Sequence, residues 1–236
     1  MNKVFQQNSP GVSTQSNKLG TDTGTIPDEL FPEILSKTKT YLAKEVIHRE
    51  ADAVDKVYYI RGGMVKLLSY LHNGRARIVR LHAGGHWLGL EGLVGQPYEH
   101  TAVAVDDVET YYFSVKHLQQ LEHDNSRRYL QIVKQVYGNL AQADRWIADF
   151  STGGIRARVA RLLEFLSKLK YGNASGMVEL LTVHEMADML GVTPESVSRI
   201  LAEFKRNETL TLHKPGSKSN EIYKIDSQKL HPETLH

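Results

Sequence analysis

From Tyr41 to Phe113 the chain carries short apolar runs broken by polar positions, at residues 57–60 (VYYI), 64–68 (MVKLL), 76–81 (ARIVRL), 101–105 (TAVAV) and 109–113 (ETYYF). Turn signals at Arg61-Gly62-Gly63, Asn73-Gly74, Ala83-Gly84-Gly85 and Gln96-Pro97 separate them. Short alternating runs joined by Gly-rich and Asn-Gly corners predict an antiparallel β barrel or roll. The first 25 residues are rich in Ser, Thr, Asn, Gly and Gln. They hold too little apolar surface to offset the entropy of ordering them, and read as a mobile tail.

After Phe113 the period lengthens. Tyr129, Val133, Val136, Leu140, Ala143, Ile147 and Phe150 are spaced alternately four and three apart, one continuous apolar stripe along a helix. Such a stripe fits a helix lying on its own barrel or a coiled-coil seam between two copies, and its regularity favours the seam. Ser151-Thr152-Gly153-Gly154 then ends the helix as a hinge, because glycine adopts backbone angles at which a helix stops. The reading is an α+β chain: a tail (1–25), a β-roll sensor domain (26–124), a dimerisation helix with its hinge (125–153) and a C-terminal domain (154–236).

In the C-terminal domain, Val159, Leu162, Leu163, Leu166 and Leu169 mark an amphipathic helix, and LTVHEMADMLGVTPESVSRILAEFKRN follows. Thr182 and Glu185 have the spacing of a capping box, so a short helix starts at Val183. It stops at Gly191, and Thr193 followed by Pro194 opens a second helix. With Ala187 small, Gly191 in the turn and Val197 between the helices, the segment is a helix-turn-helix. Val197, Ile200, Leu201 and Phe204 face inward, which leaves Glu195, Ser196, Ser198 and Arg199 outward. In a major groove Arg199 can donate twice to guanine, Glu195 can accept from cytosine N4, and Ser198 can do either. Beyond it, LTLHKPGSKSNEIYKI reads as a β hairpin, the wing. Lys214 and Lys218 at its tip, Lys205, Arg206 and the capping Thr193 are assigned to phosphate.

Charge supports this placement. The formal net charge is only +2, but five basic residues (Arg199, Lys205, Arg206, Lys214, Lys218) face two acidic ones (Glu203, Glu208) between 199 and 218. With Cys 0, disulfides, thiolate nucleophiles and iron–sulfur clusters held by the chain's own cysteines are excluded. No apolar run approaches the ~20 residues of a membrane span, and the start lacks a secretory signal, so the chain reads as cytoplasmic with no membrane partner. GxSxG, GxxxxGK[ST] and HExxH are absent, which argues against an enzyme.

The words VYYIRGGMVKL, LHAGGHWLGLEGLVG and LGVTPESVSRIL resemble the Crp/Fnr family of bacterial transcription regulators over nearly the whole chain after the tail. The resemblance implies a cyclic-nucleotide-binding-like β roll (a double-stranded β-helix), a dimerisation helix and a winged helix-turn-helix. It also implies a homodimer on double-stranded DNA and RNA polymerase as a partner. Glu195, Ser198 and Arg199 look like the pattern of the Fnr branch, which reads TTGA-type half-sites. Family members that bind cyclic AMP carry a Gly-Glu pair and an Arg-Ser pair, which fall here on Gly89-Leu90 and His100-Thr101. Leucine cannot accept from a ribose and a neutral histidine is a poor phosphate clamp, which argues against cyclic AMP. Glu91 would replace the glutamate only through a one-residue slip that turns a strand side chain to the other face. Gly89, Leu90, Glu91, His100 and Thr101 stand as effector-pocket candidates, the effector itself unassigned.

Three readings follow. The first is a ligand-gated regulator; the second is a regulator controlled by its abundance alone. The third, a metal-dependent β-barrel enzyme with a DNA module, draws on His72, His82, His86 and His100. The gap between His82 and His86 and the intervening glycines weaken the metal reading, and haem has no residue that singles itself out.

Overall fold

The computed structural model describes residues 37–124, 126–171, 176–214 and 221–235; the expected tail and Lys218 lie outside them. Its N-terminal strands are β1 (Thr38–Tyr41), β2 (Val46–His48), β3 (Lys56–Gly62), β4 (Met64–Tyr70), β5 (Ala76–Ala83), β6 (Trp87–Leu88), β7 (Thr101–Ala104) and β8 (Val108–Ser114). They pair antiparallel in two four-stranded sheets, ordered β1-β8-β3-β6 and β2-β7-β4-β5. Tyr41, Tyr58, Ile60 and Val108 of one sheet meet Ile47, Val65, Leu67, Ala102 and Ala104 of the other in a buried cluster. This is the expected β roll. β2 and β6, with three and two residues, are too short for alternation to register in the sequence, and β1 is exposed at three of its four positions, so it shows no apolar run.

The pairing of β4 with β5 carries one irregularity. Along β4 the partner of Leu67 is Arg80 and the partner of Leu68 is Ile78, so Val79 is an extra residue in β5. A β-bulge of this kind re-aims the side chains beyond it.

Helix α1 (Val115–Asp124) precedes the long α2 (Ser126–Ser151). In α2, Ile132 is buried against the β roll, while Val133, Val136, Leu140 and Ile147 stand 45%, 48%, 60% and 62% exposed. Leu130 and Tyr137, outside the sequence-derived stripe, are exposed beside them; Tyr129 and Ala143 are half-buried. Phe150 is a correction. It is 2% exposed and packs edge-on against Trp146 and Phe165, with ring centroids at 4.8 and 5.7 Å. A straight α-helix drifts by about 20° per heptad against a 3.5-residue repeat, so roughly three heptads past Tyr129 the stripe has turned off the seam.

The C-terminal domain holds α3 (Ile155–Tyr171), β9 (Met177–Glu179), α4 (Val183–Leu190), α5 (Pro194–Arg206), β10 (Leu210–Lys214), β11 (Ile222–Ile225) and α6 (Ser227–Glu233). The expected two-stranded wing is a three-stranded sheet, β10-β11-β9. Val159, Leu162, Leu163 and Leu166 of α3 form its centre with Met186, Met189, Val197 and Phe204. The same cluster takes in Met64, Ile78 and Leu81 of the β roll, so the two domains share apolar core. Ion pairs flank the junction, Lys66 to Glu185 at 2.6 Å and Lys170 to Asp106 at 2.7 Å. Burial alone would raise the Glu185 carboxyl; the Lys66 ammonium and the bonds from Thr182 outweigh it and hold it below the usual carboxylate range.

His48 and His82 are buried inside the β roll. Burial lowers His48 to about 4 and pushes His82 well below the ordinary histidine value of 6.5. Between those limits the unfolded chain binds protons that the folded chain refuses, so acidification favours unfolding. The melting temperature is therefore expected to fall as pH drops from 6.5 to 4, and His48→Asn with His82→Asn to flatten that slope in thermal melts; an unchanged slope would place the acid sensitivity elsewhere.

Candidate nucleic-acid interface

The helix-turn-helix is built as its sequence chemistry dictates. Thr182 Oγ1 accepts from the Glu185 amide at 3.2 Å and Glu185 Oε2 accepts from the Thr182 amide at 3.1 Å, closing the capping box of α4. Gly191 ends α4 at φ 62° and its amide donates to the Ala187 carbonyl; residues with a Cβ rarely adopt that left-handed backbone. Thr193 caps α5 through its hydroxyl, which accepts from the Ser196 amide at 3.4 Å, and Pro194 occupies the first helical position.

Val197, Ile200, Leu201 and Phe204 are buried, and that fixes the rotation of α5. Glu195, Ser198 and Arg199 are exposed on its outer face, toward its N-terminal end. None of the three side chains forms a hydrogen bond or ion pair among the described residues. Ser196 differs from expectation: it is half-buried, and its Oγ lies 3.1 Å from Thr193 Oγ1. Its hydroxyl is committed to the cap and is poorly placed to read bases.

The cationic residues divide similarly. Arg206 and Lys214 are exposed without a partner among the described residues. Lys205 is engaged: its Nζ donates to Tyr223 Oη at 2.7 Å and lies 4.5 Å from that ring's centroid, and Glu221 accepts from the same Tyr223 hydroxyl. Lys205 thus braces α5 against the wing sheet. Lys224, exposed on β11, is a further wing cation that sequence reasoning passed over; its alternation with buried Tyr223 and Ile225 could have found it.

In the β roll, His48, Arg80, His82, Gly89, Leu90, Glu91, Glu99, His100 and Asn139 are among the residues lining a cavity of about 220 Å³. Gly89 sits at φ 80°, where a Cβ would come within 2.9 Å of the Lys56 carbonyl, so the turn into the cavity admits glycine alone. Two expectations change. Thr101 does not line the cavity, since its Oγ1 accepts from the Glu50 amide at 3.0 Å. Glu91 does line it, because residues Leu90–Val94 form a 3-10 turn in which strand alternation no longer applies. Burial raises the Glu91 carboxyl and lowers His100.

Arg80 was missed. It faces the cavity beside His82, two positions along β5, a spacing that strand alternation makes legible. Of the four histidines, His72 is exposed on a turn, away from the cavity that His82 and His100 line, and among the described residues no group of three or more His, Asp or Glu is placed to hold an ion. No helix among them is long and apolar enough to cross a membrane.

Comparison with known proteins agrees with this geometry. Residues 38–125 match the cyclic nucleotide-binding domain family and residues 157–230 the Crp-like helix-turn-helix domain family. The chain is 26% identical over 170 residues to the transcriptional regulator LdrP of Thermus thermophilus, covering 71% of this chain and 84% of LdrP. It is 21% identical over 205 residues to the transcriptional activator protein Anr of Pseudomonas protegens, covering 86% and 82%. The structure of FixK2 from Bradyrhizobium japonicum superposes with a TM-score of 0.73 at 23% identity, over 85% of this chain and 98% of that one. With a β roll, a long connecting helix and a winged helix-turn-helix matched in order, the chain belongs to the Crp/Fnr family of DNA-binding transcription regulators and is not an enzyme.

Proposed function

We propose that this regulator works in the cytoplasm as a homodimer on a palindromic TTGA-type site, is gated by a small molecule other than cyclic AMP in the β roll, and activates transcription through RNA polymerase. The observation that carries the DNA reading is the outer face of α5, where Glu195, Ser198 and Arg199 are exposed while the opposite face is buried in the domain core. Arg199 donates to guanine O6 and N7, Glu195 accepts from the opposing cytosine, and Ser198 takes a third base. Arg206, Lys214, Lys218 and Lys224 hold phosphates, and the N-terminus of α5 adds its own amides. The cavity lined by Arg80, Glu91 and His100 favours gating over control by abundance; its glutamate and arginine stand at positions other than those of the cyclic AMP pairs, where Leu90 and His100 lie, and this supports a different effector. Anr, named an activator, supports the direction of the output.

The exposed apolar stripe Val133, Val136, Leu140 and Ile147, which a second copy would bury, supports the dimer. Two domains on a twofold axis then meet half-sites about 34 Å apart, one helical turn.

Selection of bound sequences from a random DNA pool tests the reading directly: a TTGA-type palindrome is expected to enrich, and enrichment of an unrelated or non-palindromic sequence would overturn it. Arg199→Ala is expected to cost roughly 1 to 3 kcal/mol on the selected site and to relax one base pair, while Lys214→Ala weakens all sequences alike; equal losses on selected and random DNA for Arg199→Ala would remove its base-reading role. Leu140→Asp is expected to sediment as a monomer, and a mutant that stays dimeric would place the interface off α2.

A further inference from the structure

From Lys56 to Leu90 the chain carries six Lys and Arg residues and no Asp or Glu, although its net charge is only +2. Four of the six are engaged. Lys56, Arg61 and Lys66 pair with Asp55, Glu109 and Glu185, and Arg80 lines the β-roll cavity, where the Glu91 carboxylate attracts it. Arg75 and Arg77 are left. Both are exposed, and neither guanidinium forms a hydrogen bond or ion pair among the described residues.

The β4–β5 hairpin decides where these two charges stand. Arg77 pairs with Ser69 and Ala76 with Tyr70; beyond them the Leu71 amide donates to the Arg75 carbonyl at 2.9 Å. Residues two apart along a paired strand share a face, so Arg75 and Arg77 leave the hairpin on the same side. Ile78, the next residue of β5, is buried with Met186, Ala187, Met189 and Leu190 of α4, which holds this end of the strand against the helix-turn-helix. A Cβ placed on Gly191 would lie 3.5 Å from Arg77 Nη2 and 3.7 Å from its Cζ. The guanidinium therefore rests on the turn between α4 and α5.

In a docked helix-turn-helix the first helix crosses the DNA backbone and the N-terminal end of the second enters the groove, which brings the turn between them close to phosphates. Thr193, the exposed cap of α5, follows Gly191 by two residues. That is a chain distance of at most about 7 Å, shorter than the Debye length of about 8 Å at physiological salt. The charge of Arg77 acts on a phosphate that meets this end of α5. Of the carboxylates on α4, Glu185 is bound to Lys66 and Asp188 forms no ion pair with either arginine, so neither guanidinium is neutralised by contact.

We propose, resting on the docking of α5 described above, that the β roll binds DNA itself: Arg77 holds a backbone phosphate beside the N-terminal end of α5, and Arg75 extends the same cationic strip along the hairpin. The DNA interface then includes both domains, and a bound duplex ties the β roll to the helix-turn-helix. Because the contact is with the backbone, it strengthens binding to every sequence alike.

Affinity of the full-length protein for the selected site and for a random duplex, measured over a range of salt concentrations, tests this. One phosphate contact contributes about 0.9 to the slope of log affinity against log salt. Arg77→Ala is expected to lower the slope by about that amount for each protomer on the DNA, on both duplexes, and to leave the ratio of the two affinities unchanged. Arg77→Lys, which keeps the charge, is expected to keep the slope, and Arg75→Ala to lower it by less than Arg77→Ala. A merely structural role for Arg77 would change affinity without changing the slope. An unchanged slope in Arg77→Ala, or a loss confined to the selected site, overturns the proposal. Since the chain has no cysteine, Arg77→Cys also gives a single attachment point for an iron–EDTA chelate, whose hydroxyl radicals cut nearby DNA backbone. Cuts within or beside the half-site are expected; labelled protein that binds without cutting there would put the hairpin away from the duplex, free for an acidic protein partner, and would overturn the contact. Failure of the α5 reading would show separately, as equal losses on selected and random DNA for Arg199→Ala while the slope change of Arg77→Ala persists.

Discussion

The burial of Val197, Ile200, Leu201 and Phe204 is the constraint on which the interface depends. A helix has only two sides to give, and once four apolar residues are committed to the domain core the rotation of α5 is fixed. Glu195, Ser198 and Arg199 then project outward from rigid backbone, with the Thr193 cap and Pro194 fixing where the helix begins. Base contacts demand this: a side chain that reads a donor–acceptor pattern must arrive at a defined angle, and a loosely held helix would trade specificity for phosphate attraction.

Much of this was legible because local chemistry and tertiary packing agree. Thr182 with Glu185, Gly191 and Thr193 with Pro194 are short-range signals whose geometry forms within a few residues, and the structure realises each of them. Where reading failed, the deciding contact was distant in sequence or the element short. Phe150 kept the spacing of the stripe but its ring is captured by Phe165, which periodicity cannot see. Sequence places Ser196 on the outer face and assigns Lys205 to phosphate, yet Thr193 and Tyr223 take their polar atoms. Thr101 left the cavity through a bond to Glu50, and Glu91 entered it because its segment is a turn. Arg80 lies outside the pairs at 89–90 and 100–101, positions defined by other proteins, because this chain brings its cation in from β5.

The β roll and the helix-turn-helix are joined by more than the connecting helix. Here they share apolar core through Met64, Ile78 and Leu81, and the ion pairs of Lys66 and Lys170 are only partly solvated, where pairing is worth more than at an open surface. A regulator must let a ligand alter DNA affinity without unfolding, and any such ligand acts only through a difference in its affinity for two arrangements. A cavity on one side of a strand and a DNA-binding helix on the other is a compact way to create that difference.

The central claim, that Arg199 reads a guanine, is tested most directly by replacing the half-site guanine with 7-deazaguanine, which removes the N7 acceptor and leaves the rest of the base pair intact. The wild-type protein should lose about tenfold in affinity, the effect of one hydrogen bond of a bidentate pair, and Arg199→Ala should lose nothing further from the same replacement. An equal loss in both proteins would mean that another residue reads that position and that the outer face of α5 is not docked as proposed.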